Sequence, residues 1–218
     1  MADAKNIYIV GAQCTGKTTL ADALSKFFES PKNHYLHEGA VSKPYIIKEV
    51  ARNVLREHKF TASDITSSKS RAAQLQRLIL AAQYRIERET QRNGWFISDR
   101  SALDPIVYAR FYVGDATANE MMNSEEWLEM REHMKQGLVF ICESGVPWLF
   151  DDGTRLMPDD VSDWAKFHNL FCKMLDEAGI QYHVISKTML ALEERLAMVL
   201  NVWKEGESNE TSLQMRDM

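Results

Sequence analysis

The chain has 218 residues, 45% of them apolar and 26% charged, and a formal net charge of −5. That length suits one α/β unit, with a small lid at most, and allows a sizeable core. The acidic balance excludes the basic surface that a polyanion-binding protein needs, so nucleic acid is not an expected partner. No apolar run approaches the roughly 20 residues of a membrane span. Cys14, Cys142 and Cys172 are odd in number and have no metal-ligand spacing, which fits a reducing, cytoplasmic compartment. The first strand begins so near residue 1 that no signal peptide is expected.

The chain opens on Lys5-Asn6-Ile7-Tyr8-Ile9-Val10, apolar enough for a buried strand. Gly11-Ala12-Gln13-Cys14-Thr15-Gly16-Lys17-Thr18 follows and fits the phosphate-binding pattern G-x-x-x-x-G-K-[ST]. Each residue type has a physical reason. The two glycines let the backbone curl so that successive N–H groups face phosphate oxygens. Lys17 supplies a point charge for the β- and γ-phosphates, and the Thr18 hydroxyl is a Mg²⁺ ligand. Leu20, Ala23, Leu24, Phe27 and Phe28 then recur at helical spacing, so the loop opens onto a helix N-terminus that favours an anion. The stretch Gly11, Ala12, Gln13, Cys14, Thr15, Gly16, Lys17, Thr18 and Thr19 is the expected cradle of a nucleoside triphosphate. Cys14 has two readings: a thiol activated by the helix N-terminus and Lys17, or a spectator at a variable loop position.

A polar loop over residues 30–40 leads to a short strand, Tyr45-Ile46-Ile47-Lys48, and a helix over 49–58. Glu49 falls near the C-terminal end of that strand, where open α/β sheets bind ligands; it is either a functional carboxylate or a solvated first-turn glutamate. Ser63-Asp64-Ile65-Thr66-Ser67-Ser68 reads as a polar break. A long helix over 70–91 follows, with Leu75, Leu78, Ile79, Ala82 and Ile86 as its apolar stripe and Arg77, Tyr84, Arg85 and Arg88 on another face. Trp95-Phe96-Ile97-Ser98-Asp99 is an apolar strand ending in an acid, as expected of a carboxylate set against Mg²⁺ or its waters. Arg100 comes next, to stabilise phosphoryl charge, to hold substrate, or to form a structural ion pair.

A helix is expected over 103–113 and a single rough one over 119–136, with Trp127, Met130 and Met134 packing together. Leu138-Val139-Phe140-Ile141-Cys142 makes the fourth strand, and the turn-rich segment through Asp151-Asp152-Gly153-Thr154-Arg155 reads as either a lid carrying Arg155 or a plain surface loop. A helix over 161–178, a fifth strand Tyr182-His183-Val184-Ile185-Ser186 and a helix over 189–203 complete the expected single domain, residues 1–203. Residues 204–218 are polar and charged and are expected to be a disordered tail.

The phosphate loop, Glu49 with Arg52, Asp99-Arg100 at a strand end, Pro147-Trp148, Asp152-Gly153-Thr154-Arg155, and Glu194-Arg195 in the last helix recur in one order. Over roughly residues 5–203 this order resembles the NadR-type P-loop kinase-like domain family, which includes nicotinamide riboside kinases. Asp99-Arg100-Ser101 also resembles the acid-Arg-Ser motif of deoxynucleoside kinases. The resemblance implies a P-loop NTPase fold: a three-layer α/β/α sandwich around a five-stranded parallel sheet, with a small lid. It implies ATP with Mg²⁺ and a small nucleoside-like acceptor, with Lys17, Glu49, Asp99, Arg100 and Arg155 as the catalytic set and Thr18 and Asp99 on the metal. Glu49 would position or deprotonate the hydroxyl, and Arg155 would be the lid cation. The run 156–163 adds no further base, and no Asn-Lys-x-Asp sequence supports guanine selectivity. The rival expectation is a nucleotide-dependent switch without a metabolite acceptor, with plain NTP hydrolysis as a third. Oligomeric state is left open.

Overall fold

The computed structural model describes residues 5–30, 42–147 and 161–214. Five strands form one sheet in the order β2-β3-β1-β4-β5, with every neighbouring pair parallel. They are β1 (Ile7–Val10), β2 (Tyr45–Ile47), β3 (Phe96–Asp99), β4 (Leu138–Cys142) and β5 (His183–Ile185). The helices are α1 (Lys17–Glu29), α2 (Val50–Glu57), α3 (Ala62–Ser67), α4 (Lys69–Gln91), α5 (Leu103–Tyr112), α6 (Asp115–Met122), α7 (Glu125–Gln136), α8 (Val161–Ala178) and α9 (Leu192–Gln214).

The side-chain period of two in a strand sorts the sheet into two faces. Ile7 and Ile9 of β1 join Leu24, Phe28, Val199 and Trp203, so α1 and α9 cover one face. Tyr8 and Val10 join Leu75, Ile106, Met130 and Phe171, so α4, α5, α7 and α8 cover the other. This is the expected three-layer α/β/α sandwich of a P-loop protein. No described helix is long and apolar enough to cross a membrane.

Three local readings differ from the sequence expectation. Residues 62–67 form α3 rather than a polar break, because Thr61 and Asp64 make a reciprocal capping box at its start. The single helix expected over 119–136 is two, since Ser124 accepts the Trp127 N–H at 3.3 Å and starts α7 afresh. The last helix runs on to Gln214, through residues expected as a disordered tail. Extending a helix already anchored by Val199 and Trp203 avoids the cost of nucleation.

Candidate active site

The phosphate loop lies at the C-terminal end of β1, the central strand, and runs straight into α1. Gly11 has φ +126°, and a Cβ there would sit 2.8 Å from the Cys142 carbonyl oxygen of β4. A side chain is therefore excluded on two counts, backbone conformation and space. Cys14 takes φ +58° without being glycine and is buried.

The loop is gripped from behind at its oxygen atoms. The Trp164 indole N–H of α8 donates to the Gln13 carbonyl at 3.1 Å, and the Tyr108 hydroxyl of α5 donates to the Gln13 side chain at 3.1 Å. The Arg195 guanidinium of α9 donates to the Thr15 carbonyl at 2.8 Å and to the Met189 carbonyl at 2.7 Å. Lys17 is buried and donates to the Ala12 carbonyl oxygen. Burial, with the Arg100 charge nearby, brings its pKa down to about 8, although Asp99 and Asp104 pull the other way.

Register delivers the acidic partners. Ile9 of β1 pairs with Asp99 of β3, so that carboxylate ends beside the phosphate loop. Asp99 Oδ2 accepts the Thr18 hydroxyl at 2.6 Å, while its buried Oδ1 accepts no hydrogen bond among the described residues. A buried carboxylate oxygen without a partner is costly in isolation. A hydroxyl and a carboxylate held together, one oxygen still unengaged, match a hard divalent cation that completes its shell with phosphates and water. Thr18 and Asp99 therefore fit Mg²⁺.

Ile47 of β2 pairs with Ser98, which brings Glu49 at the N-cap of α2 alongside Arg100. Glu49 Oε1 accepts from Arg100 Nε at 2.8 Å, and Oε2 accepts from Arg52 Nε at 2.7 Å. Burial alone would raise the Glu49 pKa, but Arg100 and then Arg52 outweigh it and bring it down to about 2. Arg100 also reaches Asp104 Oδ1 at 3.2 Å. Its φ of +86° places a non-glycine residue in the left-handed region, a strain of about 1–3 kcal/mol. That backbone turn sends the guanidinium toward Glu49 and Asp104. Of the alternatives open for Arg100, the ion pair is present.

One cavity of about 600 Å³ joins these parts. At one end it is lined by the phosphate loop with Lys17 and Thr18; Glu49, Arg100 and Asp104 also line it. The rest is a largely apolar chamber that includes Leu55, Phe60, Ile65, Leu75 and Ile79, with Gln76, Gln83 and Tyr108 among its polar lining. Lys17, Thr18, Glu49, Asp99 and Arg100 are thus brought together, whereas Arg155 lies outside the described residues. The sequence reading missed Asp104, Tyr108, the two glutamines and the Arg195 grip. Two signals were readable. Ser101-Ala102-Leu103-Asp104 has capping-box spacing, and Asp104 Oδ2 accepts the Ser101 N–H at 2.8 Å. Gln76, Gln83 and Glu87 fall in phase with the buried stripe of α4. Ile86, assigned to that stripe, is exposed.

A phosphate loop at the end of a central parallel strand, facing a strand-end aspartate, defines the class: a P-loop α/β protein. The sequence profile of the AAA_28 family, described as an AAA domain, matches residues 6–195, and the chain belongs to that family. Deoxyadenosine kinase from M. mycoides, solved with products dCMP and a flexible dCDP, has the same fold at TM-score 0.62 and 14% identity, over 92% of this chain and 99% of that one. The NadR protein in complex with NR matches at TM-score 0.61 and 16% identity, over 88% of this chain but 50% of that chain. The chain thus spans about half the length of NadR. No curated protein matches in sequence. Together with the motif order, the family match bears out the resemblance to NadR-type P-loop kinase-like domains.

Proposed function

We propose that this protein is a phosphotransferase that moves the γ-phosphoryl group of ATP to a hydroxyl of a small nucleoside-like metabolite. One observation carries the reading: the phosphate loop and an apolar chamber of metabolite size belong to one cavity, lined also by Glu49, Arg100 and Asp104. A switch or a plain hydrolase has no need of such a chamber. The fold-level likeness to a deoxyadenosine kinase and to NadR is consistent with this reading.

In this mechanism the loop N–H groups and Lys17 hold the triphosphate, and the lysine regains full charge as the anion arrives. Thr18 and Asp99 would hold Mg²⁺, which would supply positive charge to neutralise the triphosphate. Glu49 accepts a hydrogen bond from the attacking hydroxyl and fixes its direction. A carboxylate with a pKa near 2 is a weak base, so its first role is orientation, with the proton transferred late. That suits a loose transition state in which the nucleophile gains little charge before the phosphoryl group arrives. Arg100, tethered by Glu49 and Asp104, offers its remaining N–H groups to the transferring oxygens. Arg155 remains the candidate lid cation.

The test is ADP release from MgATP with and without a panel of nucleosides. Release stimulated manyfold by one or more nucleosides supports the kinase. Slow release indifferent to all of them returns the choice to a switch or a hydrolase.

A further inference from the structure

The phosphate loop is held from its far side by a charged residue to which the phosphoryl chemistry gives no part. Arg195 of α9 is only 2% exposed and is not among the residues lining the cavity. Its Nη1 donates to the Thr15 carbonyl at 2.8 Å and its Nε to the Met189 carbonyl at 2.7 Å, so the guanidinium ties the loop to the turn between β5 and α9. A trans peptide is planar, and its C=O and the following N–H point in opposite directions. Holding the Thr15 carbonyl away from the cavity therefore turns the Gly16 N–H toward it. Gly16 lines the cavity, and its N–H makes no hydrogen bond among the described residues. Trp164 holds the Gln13 carbonyl in a similar manner with a neutral donor, whereas an arginine is never deprotonated in a protein. Arg195, the Thr15–Gly16 peptide and an anion in the cavity would then form one line of charge, dipole and charge.

We infer that Arg195 is a positioning residue for the nucleotide: without touching it, Arg195 sets the affinity for the polyphosphate through the Thr15–Gly16 peptide. The inference rests on the reading of residues 11–19 as a triphosphate cradle, but not on transfer of the phosphoryl group to any acceptor. Two effects add. The Gly16 N–H is aimed in advance, so an arriving phosphate oxygen meets it without reordering the loop. The guanidinium also polarises the carbonyl and strengthens the hydrogen bond at the peptide's other end, in a buried setting where such chaining counts. Loop N–H groups of this pattern cradle the α- and β-phosphates, so ATP and ADP gain alike. The base and the acceptor gain nothing.

The experiment measures binding of magnesium tripolyphosphate, MgADP and MgATP to the whole chain by calorimetry, in the unaltered protein and in Arg195→Met. Methionine keeps much of the side chain's length without a charge or a donor. All three ligands should bind roughly tenfold to a hundredfold more weakly in the variant, by a similar factor. In ¹⁵N–¹H spectra the Gly16 amide proton should move downfield when MgADP saturates the unaltered protein, and much less when it saturates the variant. A role limited to anchoring α9 and the turn at Met189 would lower the melting temperature but spare the tripolyphosphate affinity and the Gly16 shift, which contradicts the inference. Should Arg195→Met not fold, Arg195→Lys makes the same test, since it keeps the charge but reaches one carbonyl at a time. Binding about threefold to tenfold weaker then supports the inference, and unchanged affinity overturns it. A loss confined to ATP, or no binding of any of the three by the unaltered protein, also overturns it. Phosphoryl transfer is assayed separately. Arg195-dependent polyphosphate binding without transfer to any nucleoside keeps this inference and defeats the kinase, whereas transfer with polyphosphate affinity indifferent to Arg195 does the reverse.

Discussion

The two ends of the cavity are built in opposite ways. The triphosphate end comes from one contiguous run, residues 11–19, whose glycine conformations and close approach to β4 leave little freedom in sequence. The apolar end, the proposed acceptor site, is assembled from α2, α3, α4 and α5, each giving one to a few side chains from turns far apart in the chain. Contiguous geometry tolerates little change and loses binding altogether when broken. A chamber assembled from separate helices can exchange residues singly, so its substitutions should retune what is bound.

The sharpest way to break that contrast is Lys17→Ala. It should lower affinity for ATP by roughly a hundredfold or more, since a charge-assisted contact in a buried site is lost, with affinity for the acceptor left within about twofold. Fluorescent-nucleotide titration and calorimetry read the two halves independently. Equal losses for both ligands would mean that the halves are not separable.

Glu49→Gln comes next. Orientation of the hydroxyl should suffer while ATP still binds, so kcat is expected to fall on the order of a hundredfold with little change in nucleotide Kd. Unchanged turnover would remove Glu49 from the mechanism.

Glu87 offers a comparison by pH. Its buried carboxyl is pushed up to about 7 by desolvation, with Gln83 and Tyr8 offsetting part of that cost. The folded pKa lies above the unfolded one, so the neutral form's contribution is present below the unfolded pKa and is lost as pH rises through about 7. Glu87→Gln removes that loss. Relative to the unaltered protein, its unfolding free energy should gain on the order of 3 kcal/mol between pH 4 and pH 8, from 1.36 kcal/mol per pKa unit. Denaturation curves at several pH values check this, and a difference that stays flat would mean that Glu87 titrates normally.

The mildest change is Phe60→Ala in the chamber wall. Phe60 is buried and carries the Arg71 guanidinium 3.9 Å above its ring. Its truncation should raise the acceptor KM by roughly tenfold and leave the ATP Kd alone, because it removes apolar contact from one end of the cavity only. A matching change in ATP affinity would again argue for one coupled site.

How far the sequence was legible follows the same division. The phosphate loop, Asp99 at its strand end and all five strands could be read because each is signalled within a few consecutive residues. Glu49 was placed near the site by its strand, but its pairing with Arg100 depends on the β2–β3 register, which no local pattern prints. Gln76 and Gln83 were passed over because polar residues on a helix are ordinarily solvated. Only burial gives them another meaning, with Gln83 set against Ser98 and Glu87. Ile86 erred in the other direction, since an apolar residue at stripe spacing remains exposed once the helix rotates to bury Gln83 and Glu87.

The most direct test of the central claim follows the phosphoryl group itself. The protein is incubated with Mg²⁺, ATP labelled with ¹⁸O in its γ-phosphoryl group, and the nucleoside that binds most tightly, and the products are weighed by mass spectrometry. The account predicts a nucleoside monophosphate carrying the label, its yield cut severely in Glu49→Gln. Label found only in inorganic phosphate, with the nucleoside untouched, would contradict it.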